Sequence, residues 1–103
     1  MPPLVSLSKY QTVAASTTAE LKKVKGAVGD HLLGVLVVPS SLNPGAITIK
    51  DGSGSNITIF AGGTASITTL HPFYIPLGIR STAGGWSITT NADASVICSG
   101  NFS

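Results

Sequence analysis

Apolar side chains return at every second position along much of this chain, in runs of five to eight residues that end in glycine, proline or asparagine. A period of two sends successive side chains to opposite faces of a strand, whereas a helix needs apolar positions three and four apart. In 46–50 (AITIK) the pattern turns Ile47 and Ile49 inward, and in 56–60 (NITIF) it does the same for Ile57 and Ile59. Between them lies 51–55 (DGSGS), rich in turn residues, so the two runs predict a β-hairpin. Residues 73–80 (FYIPLGIR) put Phe73, Ile75, Leu77 and Ile79 on one face. Pro76 has no amide proton, which assigns that run to a sheet edge or a bulge. Trp86 with Ile88, then Val96 with Cys98, repeat the alternation, and 65–70 (ASITTL) predicts a weaker strand.

Residues 31–38 (HLLGVLVV) break the pattern by being apolar throughout. The run is too short for a typical helix, is rich in valine and stops at Pro39, so it predicts a strand covered on both sides. One side is the core. The other, carrying Leu32, Leu36 and Val38 by strict alternation, needs a cover such as an N-terminal arm or a second subunit. Residues 17–26 (TTAELKKVKG) combine a capping-box pattern at Thr17 and Glu20 with Gly26 as a stop, yet the β character of the rest of the chain favours a first strand. Residues 1–18 lack sustained periodicity and predict an extended arm. Pro2, Pro3, Leu4, Val5, Leu7, Tyr10 and Val13 make it too apolar for a solvated tail, so the arm is expected to dock on its own domain or on a partner. The expected organisation is an arm over 1–18 and one domain over 19–103. That domain reads as all-β, a small antiparallel β-sandwich, jelly-roll or Ig-like, of about seven or eight strands with turns every 8 to 12 residues. Spacing leaves the strand order open.

Composition narrows the function. Charged residues make up 10% of the 103, against about 25% in an average soluble domain, so Ser, Thr, Gly and apolar groups must cover much of the surface. Such a surface suits a protein whose faces are partly occupied by neighbours. A net charge of +2, with three of six basic residues at Lys22, Lys23 and Lys25 and no aromatic residues among them, argues against nucleic acid. No apolar run is long enough to span a bilayer, and no charged segment followed by an apolar stretch marks a secretory leader. Cys98 is the only cysteine, so no internal disulfide can form, and synthesis in a reducing cytoplasm is expected.

Catalytic patterns are not evident. The four acids, Glu20, Asp30, Asp51 and Asp93, lie at turns or strand ends with no paired-carboxylate motif. His31, His71 and Cys98 lack metal-ligand spacing, so no metal or other cofactor is expected. Ser53 sits between glycines but no helix follows, unlike a hydrolase elbow. Residues 51–56 (DGSGSN) hold one acid where a calcium loop needs several, so a hairpin turn explains them better. Cys98 has no basic neighbour in sequence and reads as a core thiol. Trp86 could stack on a sugar, but its phase with Ile88 places it in the core. The expectation is a non-enzyme.

The segments 32–38 (LLGVLVV), 45–52 (GAITIKDG), 74–79 (YIPLGI) and 85–96 (GWSITTNADASV) together resemble small structural proteins of tailed bacteriophages, and among these capsid decoration, or cement, proteins. The resemblance implies a homotrimer or dimer made in the host bacterial cytoplasm and bound to the virion exterior, where it clamps subunits of the major capsid protein. The contact residues expected are those of the arm and of the outward side of 31–38. The alternative is a carbohydrate- or receptor-binding module of a phage fibre or spike, which predicts Trp86, Tyr74 or Tyr10 exposed on a flat face.

Overall fold

The computed structural model describes residues 9–103, and no helix occurs among them. Eight strands form: β1 (Lys9–Val13), β2 (Thr18–Glu20), β3 (His31–Pro39), β4 (Ile47–Asp51), β5 (Asn56–Phe60), β6 (Phe73–Arg80), β7 (Trp86–Thr89) and β8 (Ala94–Asn101). They make two four-stranded antiparallel sheets, in the orders β1-β8-β3-β6 and β2-β7-β4-β5. First pairs with last, second with seventh, third with sixth and fourth with fifth. A long hairpin rolled up on itself gives that nesting, and it decides for the jelly roll over the Ig-like order.

The alternating faces meet in the middle. Ile47, Ile49, Trp86 and Ile88 from one sheet face Leu32, Val35, Val37, Val96 and Cys98 from the other, all buried. Each such aliphatic side chain, fully buried, contributes roughly 1.5–3 kcal/mol. Trp86 also satisfies its indole, which donates to the carbonyl of Asp30 at 3.0 Å.

The two long sides of the sandwich close differently. On the β1/β2 side the chain crosses from one sheet to the other and is stitched down. Gln11 donates through Nε2 to the Glu20 carbonyl (2.9 Å) and accepts from the Lys22 amide through Oε1 (3.0 Å). The buried Thr90 hydroxyl donates to the Ala14 carbonyl at 2.6 Å. On the β5/β6 side, Phe60 and Phe73 meet with ring centroids 5.2 Å apart, and a long loop joins the two strands.

Several expectations change. Residues 9–13 of the expected arm form β1 and pair with β8, and Val13 lies in the core opposite Val96 at 3% exposure. Pro2, Pro3, Leu4, Val5 and Leu7 lie outside the described residues. Only Thr18–Glu20 of 17–26 is strand, and it is the second rather than the first. Residues 65–70 form no strand: Ala65 takes φ 53° and the Ser66 amide closes a turn on Gly63 at 3.2 Å.

Candidate interaction face

Outward-facing residues of the two sheets differ in kind. Across β2-β7-β4-β5 the register lines up Thr18, Thr89, Thr48 and Thr58 in one row, and Glu20, Ser87, Lys50 and Asn56 in the next. The hydroxyls of Thr18 and Thr89 are 3.0 Å apart and hydrogen-bonded. This face is polar and needs no cover.

The outer face of β1-β8-β3-β6 carries the row Thr12, Ile97, Leu36 and Tyr74 instead. The next row runs Tyr10, Ser99, Gly34 and Pro76, and Val38 stands beside Leu36 opposite Ser95. Tyr10 is 74% and Tyr74 50% exposed, while Leu36, Val38 and Ile97 are half-buried. The serines add little polarity, because Ser95 donates to the Val38 carbonyl (3.1 Å) and Ser99 to the Gly34 carbonyl (3.4 Å). Four strands at about 4.8 Å spacing make the apolar strip roughly 14 Å wide.

Gly34 shapes this face. The phenol of Tyr74 lies over it, so a Cβ at 34 would run into the ring and would also meet the Ile75 carbonyl at 2.8 Å. A ring laid on a cross-strand glycine is thereby held flat against the sheet. Tyrosines, which join an apolar ring to a polar hydroxyl, are among the side chains enriched at protein contacts.

Of the residues expected to make contact, Leu36, Val38 and Tyr10 share this face. Leu32 does not: it is fully buried in the core. The cause is a bulge between Leu32 and Gly34, which inserts one residue and flips the phase. Strict alternation missed Ile97, whose β8 partners are short and polar, and Tyr74, singled out only as a sugar platform.

Other candidate groups are accounted for by structure. The Asp51 carboxylate accepts from the Thr82 amide (2.9 Å), the Thr82 hydroxyl (2.8 Å) and the Ala83 amide (3.0 Å), clamping the 51–55 turn to the loop after β6. The Ala83 amide chiefly, with the Thr82 donors, holds its carboxyl below the ordinary 3.8 against a smaller opposing effect of burial. Burial pushes the Cys98 thiol up to about 12. Trp86 is 2% exposed, so it offers no stacking surface. Among the described residues, no three or more of His, Cys, Asp and Glu cluster as metal ligands. Comparison with protein-family models, curated proteins and solved structures found no match.

Proposed function

We propose that this chain is a non-catalytic structural protein that docks through the outer face of the β1-β8-β3-β6 sheet, and that it serves as a capsid decoration protein of a tailed bacteriophage. In this reading it is a homo-oligomer on the virion exterior, bound to assembled major capsid protein. The observation that supports docking is the contrast between the two outer faces: threonines in register on one, and Ile97, Leu36 and Tyr74 in register on the other. An apolar strip flanked by Tyr10 and Tyr74 has the composition of a contact centre. The shell as partner rests on the resemblance of the segments 32–38, 45–52, 74–79 and 85–96, aided by the presence of jelly rolls among viral capsid domains, an analogy of fold only. A protein that binds assembled subunits better than free ones stabilises the assembly, and many copies on one shell add their effects.

The test is co-sedimentation with assembled shells. The wild-type chain is expected in the pellet, and Leu36→Lys and Tyr74→Lys in the supernatant. Pelleting of both variants at the wild-type level would remove this face from the proposal. A second reading draws on the exposure of Tyr10 and Tyr74: both rings are at least half exposed on one face, as a glycan platform requires. Under it, oligosaccharides protect the two tyrosines from iodination while shells do not.

A further inference from the structure

On one side of the sandwich both sheets end in a strand that nothing pairs with among the described residues, and the two edges are not alike. β6 is blunted: Pro76 cannot donate to a further strand, and Gly78 bends the edge at φ 65°. β5 carries neither proline nor charge, and among the described residues nothing pairs with its far side. Up to Thr58, before the bulge that leaves Ile59 unpaired, this edge is a template for another strand.

The side chains of β5 point the same way. A register shift between Ile47 and Thr48 leaves Ile59 as an extra residue, so Ile59 and Phe60 both pack on the core. Ile57 stands opposite the buried Ile49 and so faces inward, yet it is 48% exposed because the opposite sheet does not reach over it. An inward-facing isoleucine left open at an unguarded edge is a half-built contact.

We propose that two copies of this chain pair edge to edge through β5, antiparallel about a twofold axis at Ile57, joining the two β2-β7-β4-β5 sheets into one. A twofold contact must be complementary to itself. This edge meets that condition: Ile57 faces Ile57 of the second copy, Asn56 faces Thr58, and no like charges oppose. The pairing completes the interior for Ile57 on both sides and leaves the strip of Ile97, Leu36 and Tyr74 free. Five residues per copy cover less than the roughly 1,200 Å² of a stable complex, so the pair forms reversibly with concentration. The inference deepens the self-association in the proposed function by naming its surface. It is tested on the protein alone, so its failure is distinct from a failure to bind shells.

The experiment is sedimentation equilibrium of the full chain from micromolar to millimolar concentration. The average mass is expected to rise from 10.4 kDa toward twice that value. Ile57→Lys and Ile57→Glu should each stay monomeric, and their equimolar mixture should recover the dimer, because opposite charges then face each other across the axis. Tyr74→Lys should dimerise like the wild type. Amide exchange of the unmodified chain should slow at 56–60 as concentration rises. A mass fixed at 10.4 kDa throughout, a dimer that survives both single variants, or a mixture that stays monomeric overturns the proposal.

Discussion

Replacing Asp30 with alanine should unfold this protein more easily than any surface change, by an amount set by its contacts. Asp30 is 4% exposed at the entrance to β3. Its Oδ2 accepts from the Ala27 amide (3.0 Å) and the Ser103 amide (3.1 Å), and its Oδ1 from the Ser103 hydroxyl. Its carbonyl receives the Trp86 indole. The side chain therefore ties the 21–30 loop and the end of the chain to one buried point. A hydrogen bond to a charged acceptor contributes about 1.5–3 kcal/mol net. Ser103 is exposed, so its freed groups return to water and the three contributions do not sum; the Ala27 amide is left worse off. Asp30→Ala is expected to cost about 3 kcal/mol, and Asp30→Asn, which keeps one acceptor, about half of that. Urea unfolding followed by Trp86 emission reads this directly, since the lone tryptophan reports on the same corner. With a denaturant slope of roughly 1–1.5 kcal/mol per molar, the midpoint falls by about 2–3 M. Ser103→Ala should cost about 1 kcal/mol alone and much less on the Asp30→Ala background. A loss under about 0.5 kcal/mol for Asp30→Ala, or full additivity with Ser103→Ala, would refute this account of the corner.

Contacts elsewhere in the sandwich set three further outcomes. The Asp51 carboxyl is held low in the folded state, so its contribution is present above the ordinary value of 3.8 and is lost as pH falls through the folded value; Asp51→Asn should flatten the acid limb of stability below that pH in thermal melts. Cys98, buried with its thiol raised to about 12, should resist iodoacetamide at pH 8 until the chain unfolds, so labelling should track the denaturant transition. Gly34→Ala must displace Tyr74 and strain against the Ile75 carbonyl, costing about 1–3 kcal/mol in urea unfolding and weakening shell binding, whereas Gly63→Ala, strained by its φ of 113° though its Cβ meets open space, should lower stability yet leave shell binding of the folded chain intact.

Much of this fold was legible because most strands alternate cleanly. Ile47, Ile49, Trp86, Ile88, Val96 and Cys98 are all buried where a period of two places them. The run 31–38 reads as a strand, and β3 does form, between β8 and β6 in its sheet; the cover expected on its second face is what the proposed docking would supply. What the sequence hid is the bulge near Leu33. One inserted residue moved Leu32 into the core and left Leu36 and Val38 outside, and nothing in a purely apolar run marks where that slip falls. Val13 was hidden for another reason. A five-residue edge strand with one core side chain has too little pattern to separate from an arm until β8 is known to lie beside it. The contact face was partly legible through Leu36, Val38 and Tyr10, but Ile97 and Tyr74 join it only through cross-strand register, which depends on the strand order. Ile57 shows the opposite limit: its inward phase was readable, its exposure at an edge was not.

Hydroxyl-radical footprinting of the free chain and of the chain on assembled shells tests the docking face most directly. Tyr10 and Tyr74 should both lose most of their reactivity on the shell, while Val24 and Val28, exposed in the loop that joins β2 to β3 and outside the rows of that face, should react as before. Tyrosines that react equally in the two states, with the chain retained on the shell, would contradict the claim that this protein works through the outer face of β1-β8-β3-β6.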